Sequence, residues 1–181
     1  MFGLAGKWKL KKSDRLGRLA ASIEALRDSD QTALEDSIRV DRLRVRGAVE
    51  LHELCATFAR ELNCRLSEPA VSLDPPTYAA ASYSDNGPGL FQLNLRGRLL
   101  QIEFEALEEL SSTDDFRRPY VMRGAVRSFN QRLLDRSTVH EHGLFYCPKG
   151  ADAIWYYFDA RSYRNGKLNV DFLVKEMEKL L

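Results

Sequence analysis

Residues 90–106 read LFQLNLRGRLLQIEFEA, and their alternation decides the fold. Phe91, Leu93 and Leu95 alternate with Gln92, Asn94 and Arg96, and after Gly97 the residues Leu100, Ile102 and Phe104 alternate with Gln101, Glu103 and Glu105. A period of two on both sides of a glycine predicts an antiparallel hairpin with one dry and one wet face. The dry face of such a sheet needs an apolar cover, and amphipathic segments towards both ends of the chain can supply it.

On the N-terminal side, Ala48 to Asn63 reads as the helix that docks on the sheet. Val49, Leu51, Leu54, Cys55, Phe58 and Leu62 trace an apolar face, with Glu50, Glu53, Arg60 and Glu61 largely off it. An earlier helix is expected from Ser13, a suitable N-cap, because Leu16, Leu19, Ile23 and Leu26 recur at spacings of three and four. Asp28, Ser29 and Asp30 predict a break. Residues 31–47 fit neither period cleanly and are read as helix. Residues 1–12 form a basic arm, expected to be flexible: the first eighteen residues carry six cations against Asp14, a local charge of +5, with Phe2, Leu4, Trp8 and Leu10 interleaved. Between helix and hairpin, residues 64–89 read as a loop, punctuated by Pro69, Pro75 and Pro76 and closed by a turn cluster from Asp85 to Gly89.

On the C-terminal side, further strands are expected at Tyr120 to Phe129, Val139 to Cys147 and Ala153 to Asp159, the last with both faces at least half buried. Asn165 and Gly166 read as a turn. The chain then closes with a helix, Val170 to Leu181, capped by Asn169 and apolar through Leu173, Val174, Met177, Leu180 and Leu181. Strands joined without crossover helices predict an α+β fold: a mainly antiparallel sheet of about five strands, packed against N-terminal helices and a C-terminal helix. Residues 13–181 are expected to form a single domain, helical over 13–63 and carrying sheet and C-terminal helix over 90–181.

The 181 residues are 44% apolar and 29% charged with a formal net charge of +1, which excludes wholesale disorder and argues against a dedicated nucleic-acid binder. No apolar run approaches the roughly 20 residues of a membrane span. The opening Met1 to Gly6 has its positive charges after the apolar residues, the reverse of a secretory signal. Three cysteines, Cys55, Cys64 and Cys147, argue for reduced thiols over a disulfide framework. Both observations point to the cytoplasm.

Several residues have the chemistry of a site. His140 and His142, an H-x-H pair on a strand, would point to one side, as zinc ligands can, yet a third ligand from Cys147, Glu103, Glu105 or His52 is not fixed by spacing. No metal and no cofactor is expected. Cys147 lies an odd number of residues from His142, on the opposite strand face, which denies it an activating base. Arg117, Arg118, Arg123, Arg127, Arg132 and Arg136 against Asp135 make a second run of +5. Arg123 and Arg127 could meet an anion, or else pair across strands with Glu103 and Glu105. Trp155 and Tyr157, with Tyr78 and Tyr83 as a lid, could line an apolar pocket.

No G-x-S-x-G, P-loop, G-x-G-x-x-G or H-E-x-x-H pattern occurs. The sequence therefore favours a non-catalytic binding or protein-interaction domain, with a homodimer or another protein as partner. An alternative is a pocket for a small, anionic ligand, enzymatic if His140 or His142 serves as general base. A second alternative is an acidic surface or nucleic acid bound through the arm and the arginine run.

Overall fold

The computed structural model describes residues 5–129, 140–150 and 152–181, with side chains from Arg15 onward. The chain divides into two compact units, Met1–Asp41 and Arg42–Leu181. Helix α1 (Ala5–Asn63) contributes to both.

The second unit is α+β, with a seven-stranded, wholly antiparallel sheet among the described residues. Its strands are β1 (Val71–Asp74), β2 (Gly89–Leu95), β3 (Arg98–Ser111), β4 (Tyr120–Phe129), β5 (His140–Lys149), β6 (Asp152–Asp159) and β7 (Arg164–Lys167), paired in chain order as a meander. Helix α2 (Val170–Glu178) follows. The count of about five strands is thus corrected to seven. The five expected strands are present, and the two additional ones are four-residue edges, β1 inside the segment read as a loop and β7 over the Asn165–Gly166 turn.

The opening hairpin forms as its alternation requires. Leu95 pairs with Arg98, leaving Arg96 (φ 50°) and Gly97 (φ 83°) as the two central residues of the turn. Positive φ at both positions defines the type I′ geometry that matches strand twist, and glycine adopts it without a steric penalty. The Asn94 side chain accepts from the Gly97 amide at 2.9 Å.

Register puts Leu93, Leu100, Ile102, Phe104, Met122, Val126, Leu144, Tyr146 and Trp155 on one face, all nearly or fully buried. The C-terminal part of α1 covers this face through Leu43, Gly47, Ala48, Leu51, Cys55, Phe58 and Ala59, and α2 covers it through Phe172, Leu173 and Met177. Asn63 ties the end of α1 to β1, donating to the Val71 carbonyl at 2.7 Å and accepting from the Ala70 and Val71 amides at 2.9 Å. The opposite face is half wet. Towards one end it carries a smaller core of Phe116, Tyr120, Cys147 and Phe158, in which Phe116 stacks on Phe145 with ring centroids 4.2 Å apart. Because β6 lies between the two cores, both of its faces are packed.

Two helical expectations change. The break at Asp28–Asp30 is absent, so the helix expected over residues 31–47 runs on without interruption from the one before it. Asp and Ser each cost only a few tenths of a kcal/mol in a helix interior, too little to end one without Pro or a Gly cap. Their polar groups are absorbed locally: Thr32 Oγ1 donates to the Asp28 carbonyl at 2.9 Å and Gln31 to Glu35 at 2.7 Å. In α2, Asn169 accepts from the Phe172 amide as expected, but Val174 and Leu181 are exposed, and Phe172 and Glu176 take the buried positions.

The first unit is helix from Ala5 onward. Its large apolar side chains Leu16, Leu19, Ile23, Leu26, Leu34 and Ile38 are between 42% and 63% exposed, so the stripe read from spacing is present and extends past the expected break.

Candidate functional site

Trp155 and Tyr157 lie on the covered face of β6. The Trp155 indole Nε1 donates to the Gly47 carbonyl at 2.8 Å, and its ring leans on Tyr146, centroids 5.0 Å apart. Tyr157 stacks on Phe172 at 4.4 Å. Tyr78 and Tyr83 belong to the connection before β2. Tyr78 stacks on His52 and meets Phe91 edge-on, while the Tyr83 hydroxyl donates to Asp85 at 2.5 Å. Burial raises the pKa of both tyrosines. Four strand spacings separate β2 from β6, about 19 Å, so the two aromatic pairs do not meet.

Arg123 and Arg127 lie on the opposite, half-wet face, where cross-strand carboxylates hold them. Arg123 Nε meets Glu105 at 2.5 Å in direct register. Arg127 bridges Glu103 on β3 and Glu141 on β5, the latter at 2.6 Å; bonds to Glu141 first and Glu103 second raise its pKa. Arg118 covers the Tyr156 ring, 4.4 Å from its centroid. Arg132, Arg136 and Asp135 of the expected run lie outside the described residues.

The most concentrated buried polar chemistry is one that spacing alone did not reveal. Glu176 of α2, 2% exposed, receives His142 Nε2 at 3.0 Å and Lys179 Nζ at 2.6 Å, with Ser128 Oγ at 3.4 Å. Burial pushes the Glu176 pKa upward, and the bonds from His142 and Lys179 outweigh it, leaving it below the usual carboxylate range. Glu176 could have been found from its position, since it falls between Phe172 and Leu173 on the apolar arc. His142 is wedged edge-on against Phe172 and Tyr157, and its Nδ1 has no hydrogen-bond partner among the described residues. With both carboxylate and imidazole shielded, this cluster clamps α2 to the sheet.

His140 shares the face of His142 but is half exposed. Among the described residues no three His, Cys, Asp or Glu side chains converge as a metal site. Cys147 sits in the aromatic cluster, on the face opposite His142. Burial pushes the Cys55 and Cys147 thiols up to about 12, unsuited to a nucleophile at neutral pH.

The stripe of the first unit is exposed. Ile23, Leu26 and Leu34, with Arg27, Asp30 and Gln31, line a shallow open groove along the helix. Singly exposed apolar residues are ordinary on a protein surface, whereas these six share one stripe.

No protein-family model matches the chain, and neither a curated protein nor a solved structure matches it significantly. No described helix is long and apolar enough to cross a membrane.

Proposed function

We propose that the protein is a non-catalytic interaction module that docks on another protein surface through the stripe Leu16 to Ile38. The observation that carries this reading is the exposure of six large apolar side chains on one side of a helix. The sheet's reactive groups support it from the other direction: Glu176 is held by His142 and Lys179, and Arg123 and Arg127 are held by glutamates. An anionic-ligand pocket is less well supported, because Arg123 lies on the sheet face opposite Trp155 and Tyr157. Three unpaired cysteines suit a reducing compartment, and we place the protein in the cytoplasm.

The test is a photocrosslinking residue placed at position 26 of the full chain, with position 123 as control, irradiated in extract of the native host. Discrete protein adducts from position 26 alone support the reading. Equal labelling from both positions, or none from either, overturns it.

A further inference from the structure

The chain contains two Asn–Gly pairs, Asn86–Gly87 and Asn165–Gly166, and the fold treats them differently. We propose that Asn86 is a site of spontaneous covalent modification, its side chain converting to aspartate and isoaspartate, while the sheet holds Asn165 unreactive.

The reaction requires the main-chain nitrogen of the glycine to reach the asparagine Cγ, which a following residue without a Cβ obstructs least. The glycine nitrogen gives up its proton and bonds to Cγ. The Cγ–Nδ2 bond breaks, and Nδ2 leaves with that proton as ammonia, closing a five-membered succinimide. Water then opens the ring. Cleavage between the nitrogen and Cγ gives aspartate, and cleavage between the nitrogen and the main-chain carbonyl carbon gives isoaspartate, whose chain runs through the former side chain. One water is consumed, one ammonia is released, and nothing is oxidised or reduced.

Asn86 lies in the connection between β1 and β2, where Ser84 to Pro88 are all exposed. Its side chain makes no hydrogen bond among the described residues. The bend is held by the Asn86 amide donating to Ser84 Oγ at 3.2 Å and the Gly87 amide donating to the Asp85 carbonyl at 3.0 Å. Both bonds join residues two apart in an exposed segment, so exchanging them for water costs little. A Cβ at Gly87 would meet nothing within 4 Å, which leaves the approach open.

Asn165 is equally exposed, so exposure does not separate the two pairs. Its glycine does. Leu168 N donates to the Trp155 carbonyl at 2.9 Å, and with Gly166 opposite Tyr157 the alternation of an antiparallel ladder engages the Gly166 nitrogen with the Tyr157 carbonyl. The Tyr157 ring closes on the same residue, 2.8 Å from where a Cβ would stand. For that nitrogen to reach Cγ, β7 must first leave the sheet and give up its extended main chain.

Conversion at Asn86 sets a second carboxylate beside Asp85, which accepts the Tyr83 hydroxyl at 2.5 Å, and takes the formal net charge from +1 to zero. Isoaspartate also lengthens the main chain by one atom in the bend just before β2, which begins at Gly89.

The test ages the full chain at mildly alkaline pH, folded in one sample and unfolded in urea in another, with circular dichroism confirming the first. Peptide mass spectrometry reads the replacement of NH by O at each asparagine, and electron-transfer fragmentation separates isoaspartate from aspartate. In the folded chain Asn86 is expected to convert at least tenfold faster than Asn165, a ratio equivalent to about 1.4 kcal/mol of local strand opening. In urea the two rates should converge. Equal rates in the folded chain, or a faster Asn165, overturn the proposal. No conversion at Asn86 in the folded chain overturns it as well, because the bend would then protect as the strand does. A folded-chain ratio that persists unchanged in urea overturns the part assigned to the sheet and places the selectivity in the flanking residues.

Discussion

The indole Nε1 of Trp155 donates to the main-chain carbonyl of Gly47 at 2.8 Å, which joins the sixth strand of the sheet to the C-terminal part of α1. The contact exists because residue 47 has no side chain. A Cβ built there would stand 2.7 Å from Tyr146 Cε1 and 3.0 Å from the Met122 sulfur, and both of those side chains are fully buried. Glycine, ordinarily unfavourable in a helix interior, is here the condition for α1 to approach the sheet.

Gly47→Ala is therefore expected to destabilise the second unit by about 1–3 kcal/mol, the usual range for overpacking, although alanine would favour an isolated helix by about 1 kcal/mol. Trp155→Phe, which removes the donor together with the five-membered part of the indole, should cost about 2–4 kcal/mol from the lost bond and the space left behind. Urea unfolding followed by tryptophan-independent circular dichroism measures both. A neutral or stabilising G47A would mean that helix and sheet stand further apart than described.

Arg127 looks important from its three-strand bridge to Glu103 and Glu141, yet the physics predicts little. Its side chain is 31% exposed and its partners are 38% and 54% exposed, so solvent screens the pairs. Arg127→Met should change stability by less than about 1 kcal/mol. The chief loss should be a slight preference for this register over a slipped one. A double-mutant cycle with Glu103→Gln that gave a coupling well above 1 kcal/mol would show the network to be drier than its exposure indicates.

The contrast between Gly47 and Arg127 also marks what could be read from the chain and what could not. Alternation in Leu90 to Ala106 defined the hairpin, its turn and its dry face, because a period of two has no other use in a folded chain. The charge pairing of Arg123 with Glu105 was equally legible, since both alternate onto the wet face. The edge strands were not: Val71–Asp74 sits among prolines, and Arg164–Lys167 reads RNGK, polar enough to pass for a turn. Their pairing is supplied by neighbours, with Asn63 bonding the start of β1 and the Tyr157 ring covering Gly166. The continuity of α1 was hidden because Asp28, Ser29 and Asp30 resemble a stop signal in composition but lack the glycine or proline that enforces one. Of the residues singled out for a site, Trp155 and Tyr157 share a face, whereas Tyr78, Tyr83, Arg123 and Arg127 lie on other elements, and only strand order could reveal that. Glu176 escaped notice because a carboxylate on an apolar arc is identified by its partners, and His142 comes from a strand more than thirty residues earlier.

The three cysteines should differ sharply in reactivity. Cys64 is exposed, while Cys55 and Cys147 are buried with their thiols pushed up to about 12. At pH 8 almost none of either buried thiol is ionised, and thiolate is the reactive form. Mass spectrometry of the native protein treated with iodoacetamide should show one rapid alkylation, at Cys64, and two more only on unfolding. Rapid modification of Cys147 would mean that the Phe116 cluster opens readily.

Acid should loosen α2 before it affects the hairpin, because Glu176 is the carboxylate that fastens α2 to the sheet. Its pKa is lowered in the folded protein: burial acts against ionisation, but the bonds from His142 and Lys179 prevail. A depressed folded-state pKa means the unfolded chain takes up the proton first. The stabilisation is thus fully present above the ordinary glutamate value of about 4.3 and is lost as the pH falls through the lower, folded value. Glu176→Gln should cost about 1–3 kcal/mol at pH 7, as expected for removing a charged partner from a buried bond. The difference between parent and variant should stay constant down to about pH 5 and shrink below it. Urea titrations at a series of pH values measure that difference. A gap that persists undiminished to about pH 2, below the unperturbed carboxylate range, would show that Glu176 contributes through shape and neutral hydrogen bonds and not through its charge.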